Sequence, residues 1–208
     1  MSDWLAEQRG EVAAERILDA AGALFTAHDP GAVGMRDIAT AAGCSRATLY
    51  RYFENREALH TAYVHREAHR LARRLTERLA AIDDPHQRLI DGMTATLALV
   101  RENPALASWF AASRAPIGAQ MADRSAVITA MVTTFAASLG RGEPAAYQRR
   151  ARWLVRVLTS LLTFPGRDAD DERTMLAEFV APVVAGETTS EPGSAGAAPT
   201  TPESSSPR

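Results

Sequence analysis

Lysine is missing from this chain, and all 23 of its basic side chains are arginine, a bias from which nothing about function follows. Cysteine is nearly missing too: Cys44 stands alone, which excludes an internal disulfide and a zinc site built from several thiolates. Directly after Gly43 it suits a small buried side chain, and packing is read ahead of a redox role. No stretch is apolar for the roughly 20 residues that a membrane helix needs. The opening MSDWLAEQRG carries no basic region with an apolar run behind it, so a soluble, cytoplasmic protein with no membrane partner is expected. Nucleophile-elbow, phosphate-loop and dinucleotide fingerprints are absent as well. His65 and His69 do stand four apart on one helical face, as a metal site requires, but Glu67 lies midway and out of line. His28, His60, His65, His69 and His86 are therefore read as solvated helix residues, with no metal, no cofactor and no enzymatic activity expected.

What is present suits an all-α protein. The chain has 208 residues, 46% of them hydrophobic, enough for a substantial core, and no strand-length alternation interrupts its helical periodicities. Its formal charge of -2 argues by itself against a nucleic-acid partner, since phosphate binding relies on cations that release condensed counterions. Distribution outweighs the total: Arg36, Arg46, Arg51 and Arg56 crowd residues 35 to 56 against only Asp37 and Glu54.

That segment, MRDIATAAGCSRATLYRYFENR, reads as two short helices joined by a tight turn. Gly34 is an acceptable N-cap, Asp37 puts negative charge in the first turn, and Ile38, Ala39 and Ala42 recur at helical spacing. Gly43 supplies the positive φ that ends the first helix. Ser45 caps the second, where Leu49 and Phe53, four apart, face inward. Arg46, Ala47, Thr48, Tyr50 and Arg51 then look outward. A second helix offering its N-terminal side chains to the major groove is how helix-turn-helix proteins read base edges, and arginine suits the O6 and N7 of guanine.

The stretch ILDAAGALF followed by MRDIATAAGCSRATLYRYFENREAL resembles the N-terminal DNA-binding domain of the TetR family of bacterial transcriptional repressors, over about residues 11 to 60. The specific part is Leu49-Tyr50, the pair Tyr52-Phe53, Asn55, a basic residue at 56 and Leu59, preceded by Ile38-Ala39 and Gly43. The resemblance implies that Arg36, Arg46, Ala47 and Thr48 reach bases and that Tyr50, Tyr52 and Arg56 hold phosphates, with Ser45 and Arg51 in the same surface. Where that family often has Thr or Ser at the start of the second of its three helices, this chain has Gly34 and Met35, which leaves backbone N-H groups there to meet phosphate.

Three parts are expected: a three-helix, helix-turn-helix DNA-binding domain over 1–56, a helical effector-binding and dimerisation domain over 57–185, and a disordered tail over 186–208, rich in Pro, Gly, Ser and Thr. Asn55-Arg56-Glu57 opens a long helix, and Asp84-Pro85 and Asn103-Pro104 pair a good N-cap with proline at the first helical position; Ala115-Pro116 and Glu143-Pro144 are weaker starts. Body helices are expected near 57–81, 85–102, 104–113, 116–139, 144–164 and 171–184, the last kinked or ended at Pro182. Residues before Glu11 form an arm or an extra helical turn, from which Arg9 is a weaker candidate for DNA contact.

Helix 144–164 carries Leu154, Leu158, Leu161 and Leu162 on one stripe, and the last helix carries Met175, Phe179 and Val183. Such stripes suit a monomer core; the resemblance implies instead a four-helix homodimer interface. A two-fold dimer would set two reading helices in successive major grooves about 34 to 36 Å apart on a palindromic operator. Met93, Leu97, Trp109, Phe110, Met121 and Met131, with Thr96, Arg114 and Gln120 as polar candidates, fall where the resemblance implies an effector pocket, although apolar stripes of this kind also serve as plain core. The expected function is a repressor released from DNA by a small apolar effector. A DNA-binding regulator with no small-molecule ligand, or an activator, is the alternative.

Overall fold

The computed structural model describes residues 3–111, 117–140 and 142–185, with side chains from Gly10 onward. Among the described residues every regular element is helical: α1 (Asp3–Ala27), α2 (Met35–Ala41), α3 (Arg46–Tyr52), α4 (Arg56–Leu79), α5 (Pro85–Glu102), α6 (Pro104–Ala107), α7 (Ile117–Arg124), α8 (Ala126–Ser138), α9 (Pro144–Thr163), α10 (Ala169–Phe179) and α11 (Ala181–Ala185). The all-α expectation therefore holds.

Short polar side chains start most of these helices. Asn55 accepts from the backbone N-H of Ala58, Asp84 from that of Gln87 and Asp168 from that of Asp171, while proline opens α5, α6 and α9, where no N-H is needed. The helix expected over 116–139 is in fact two, because Ser125 leaves helical geometry and its hydroxyl caps α8 through the Ile128 N-H. The helix expected over 104–113 keeps only the four residues of α6. Near the end of the described chain the break falls at Val180, two residues ahead of Pro182, which cannot donate to the preceding turn. The starts expected at Ala115-Pro116, and the tail expected over 186–208, lie outside the described residues.

Among the described residues two hydrophobic cores result. The first gathers Leu18 and Phe25 of α1, Ile38 of α2, Leu49 of α3 and Leu59 and Tyr63 of α4, and extends to Ala105 and Trp109. The second gathers Leu89 and Met93 of α5, Leu139, Leu154 of α9, and Leu176, Val180 and Val184 from the last two helices. Burying each large side chain of this kind stabilises the fold by about 1.5 to 3 kcal/mol. Residue 56, expected as a domain boundary, falls in the first turn of α4, whose N-terminal half is part of the first core.

Charge fixes α4 against α1. Arg66 reaches Glu15 at 3.1 Å and Asp19 at 2.8 Å, and also meets Glu67 at 3.0 Å, to which Arg70 adds a contact of 2.9 Å. Glu67 is only 8% exposed, and the two guanidinium groups keep its buried charge compensated.

Candidate functional site

The α2–α3 pair owes its shape to local chemistry. Gly43, at φ 66°, turns the chain between the helices in open space, so only backbone conformation demands glycine there. The Ser45 hydroxyl accepts from the Thr48 N-H at 3.0 Å and shares a 2.9 Å hydrogen bond with the Thr48 hydroxyl, which starts α3. Leu49, with no exposed surface, and Phe53 then seat the helix in the first core.

Inward seating of Leu49 leaves Arg46, Ala47, Tyr50 and Arg51 exposed, with Thr48 and Tyr52 half-buried beside them. The exposed tyrosine is informative, since Tyr50 keeps 41% of its surface in solvent. Two arginines rest on aromatic faces: Arg51 lies 5.2 Å over the Tyr52 ring and donates to its hydroxyl at 3.3 Å, and Arg46 lies 5.9 Å from the Tyr50 ring centre. Arg36 is exposed on neighbouring α2. The structure thus brings together Arg36, Ser45, Arg46, Ala47, Thr48, Tyr50, Arg51 and Tyr52 on two adjoining short helices. It presents cationic and hydroxyl groups with no carboxylate on α3, which suits the edge and backbone of a nucleic acid.

The Gly34 N-H donates to the Asp37 carboxylate at 3.1 Å, which takes one of the backbone donors at this helix start. Arg56 is exposed but donates to the Gly31 carbonyl at 2.9 Å, tying the start of α4 to the loop ahead of α2. That contact joins residues 25 apart in sequence, and no local signal announces it. Cys44 is half-buried and packs against the first core.

Residues 17–63 match the family described as bacterial regulatory proteins, tetR family. Over 183 residues the chain is 59% identical to an HTH-type transcriptional regulator of Mycobacterium tuberculosis, itself uncharacterized, which covers 88% of this chain and 91% of that protein. The chain belongs to the TetR family. This TetR-family protein is accordingly a DNA-binding transcriptional regulator and not an enzyme. Among solved structures it is similar to the TetR family repressor AlkX from Dietzia, implicated in biodegradation of n-alkanes, at 25% identity and a TM-score of 0.63, covering 82% of this chain and 94% of that one. The R. erythropolis repressor QsdR shares the fold at 22% identity and a TM-score of 0.60, over 84% of this chain and 95% of that one. No described helix of the regulator is long and apolar enough to cross a membrane.

Of the residues expected to line an effector pocket, Trp109, Phe110 and Met121 meet at the first core, while Met93 belongs to the second. Met93 and Leu97 are buried on α5, and Thr96 turns its hydroxyl to the Gly92 carbonyl. Trp109 is buried in the first core edge-on to Phe25 and His60, with Phe110 half-buried against that core, and Met131 lies half-buried on α8. Arg114 lies outside the described residues. A cleft of about 480 Å³ opens elsewhere, between the first half of α4 and α7 with the start of α8, and of the expected apolar set only Met121 lines it, with Gln120 beside it. His60 and Val64 of α4 and Ile117 of α7 line it too, none of them expected in a pocket from sequence.

His60 departs most from expectation. It is 6% exposed, its Nε2 has no hydrogen-bond partner among the described residues, and burial, with the nearby Arg56 charge second, lowers its pKa to about 4. His65 is half-buried and hydrogen-bonds Ser125 at 2.9 Å; His28 and His69 are exposed.

Of the residues expected in a dimer interface, Leu154 is 1% exposed and belongs to the second core, where a partner cannot reach it. Leu158 and Leu161 pack half-buried against that core, and Leu162 and Met175 are half-buried. Phe179 and Val183 keep 67% and 68% of their surfaces exposed, and Trp153 and Phe164 of the same region are exposed as well.

Proposed function

We propose that this regulator is a repressor that binds a palindromic operator as a homodimer and is released from it by a small-molecule effector. The observation that carries the reading is α3, whose apolar side is spent on the first core while its arginines, hydroxyls and Tyr50 face solvent together. In this reading Arg36, Arg46, Ala47 and Thr48 meet base edges, Tyr50, Tyr52 and Arg56 meet phosphates, Arg51 lies in the same surface, and Ser45 holds the helix start in register. One seven-residue helix offers few base contacts; a dimer doubles them and fixes a half-site spacing of about 34 to 36 Å.

Dimerisation is supported by Trp153, Phe164, Phe179 and Val183, large apolar side chains left in solvent on the last helices of a single chain. Leu158, Leu162 and Met175 flank them. Effector release is supported by the cleft against the first half of α4, the helix that starts three residues after Phe53 and carries the α1 ion pairs. A ligand favouring another α4 orientation would take the two heads out of register, and moving from mostly bound to mostly released needs on the order of 5 kcal/mol of differential affinity. Sequencing the genomic fragments that the purified protein retains tests the reading. A two-fold motif with one-turn half-site spacing is expected; a single, asymmetric half-site would refute the symmetric dimer.

A further inference from the structure

The cleft between α4 and α7 is lined by both polar and apolar side chains. His60 lines it, and its buried Nε2 has no hydrogen-bond partner among the described residues, an arrangement that is destabilising until a partner arrives. Arg56 and Arg124 line the same cleft against the single carboxylate of Glu57, so cationic charge is in surplus there. Arg124 is exposed, and Arg56 spends one N-H on the Gly31 carbonyl, with the rest of its donor fork still to use. Val64, Ile117, Met121 and Val127 supply apolar lining. We propose that this cleft binds an amphipathic organic anion, a carboxylate carrying an apolar body, with His60, Arg56 and Arg124 around the carboxylate and the apolar side chains around the body.

Each alternative head group fits worse. An amine would face two guanidinium groups, and an alcohol would forgo the charge-assisted hydrogen bonds that are about twice as strong as neutral ones. The carboxylate also has a route to the DNA-binding head. Arg56 and Gly31 both line the cleft, so an anion that draws Arg56 to itself competes with the Gly31 carbonyl and loosens the loop leading into α2. This regulatory consequence rests on the effector-responsive reading above; the binding itself does not.

Isothermal titration calorimetry of the full chain with octanoate, octan-1-ol and octylamine tests the site. Octanoate is expected to bind saturably and about tenfold more tightly than octan-1-ol, with octylamine weakest, the margin of one charge-assisted hydrogen bond. Arg124→Ala, at an exposed position, is expected to weaken octanoate about tenfold and leave octan-1-ol unchanged; His60→Phe, checked for folding by circular dichroism, is expected to weaken octanoate as well. Equal affinity for the three probes, no binding of any, or an Arg124→Ala variant with undiminished octanoate affinity overturns the proposal. Operator binding with and without octanoate separates the two readings. Octanoate binding that is sensitive to Arg124→Ala but leaves operator affinity unchanged keeps the site and refutes effector release. Release by octanoate that neither variant alters keeps the effector reading and refutes the site.

Discussion

Arg101 of α5 and Glu172 of α10 meet in two hydrogen bonds of 2.7 Å, Nη1 to Oε2 and Nη2 to Oε1. The same guanidinium donates to the Leu161 carbonyl at 2.9 Å, and the Glu172 carboxylate also accepts from the Gly166 N-H, so one ion pair joins α5, α9, α10 and the connection between the last two. Glycine is required at 166, where a Cβ would stand 2.7 Å from Glu172 Cγ. The pair therefore positions the helices that carry the exposed apolar face.

Glu172→Ala leaves a partly buried guanidinium without its partner and is expected to destabilise the protein by about 2 to 3 kcal/mol, below the cost of breaking a fully buried pair because Arg101 still meets solvent. Hydrogen bonds from Arg101 hold the Glu172 carboxyl below the usual glutamate range, against the opposing effect of burial. This stabilisation is present above the unfolded glutamate pKa and is lost as pH falls through the lower native value. Urea unfolding across acidic pH should show that the variant has lost this part of the acid sensitivity.

His60 gives the opposite protonation problem. Its native pKa of about 4 lies below the ordinary 6.5, so between those values the unfolded chain takes up a proton that the native imidazole refuses. Stability is expected to decline as pH falls from 6.5 towards 4, by about 2 kcal/mol at pH 5, and to lose no more from this group below its native pKa. Phe25 and Trp109 crowd the ring edge-on and Arg56 is the charge that acts on it. Thermal melts at pH 7 and pH 5 check this, and a folded His60→Phe variant should show a smaller difference between the two.

The reading helix depends on its start. Ser45→Ala removes the acceptor for the Thr48 N-H and is expected to cost about 1 kcal/mol. Gly43→Ala meets no steric obstacle but keeps a positive φ, and is expected to cost about 1 to 2 kcal/mol. Chemical denaturation of the two variants measures these losses, and a fully stable Gly43→Ala would contradict the conformational argument.

Much of the α2–α3 unit could be read from sequence because its determinants are local. Gly43, Ser45, Leu49 and Phe53 act within one or two turns, and the structure puts each in the role that spacing suggests. The features that escaped reading join distant segments. Arg56 bonds Gly31, His60 is enclosed by Phe25 and Trp109, and Leu154 packs with Leu89 and Leu176, none of which periodicity on one helix reveals. Ser125 shows an intermediate case: as a capping residue it could be seen, but the apolar periodicity on both sides hid the break. The residues that the resemblance implies for an effector pocket are apolar at helical spacing, a property that core positions share.

The exposed face of the last helices separates two kinds of apolar residue. Phe179→Asp, at a position 67% exposed, is expected to give a folded monomer, whereas Leu154→Asp, in the second core, is expected to unfold the chain. Sedimentation velocity together with circular dichroism distinguishes the outcomes. A Phe179→Asp variant that stays dimeric would place the interface elsewhere.

Reading of DNA by α3 is tested most directly by titrating wild-type protein and Arg46→Ala against the operator, its single-base variants and unrelated duplex over a range of salt. Loss of Arg46 should cost about 1 to 3 kcal/mol on the operator, relax discrimination at one base position in each half-site, and leave affinity for unrelated duplex much less changed. An equal loss on every sequence, or no loss on any, would contradict base reading by this helix.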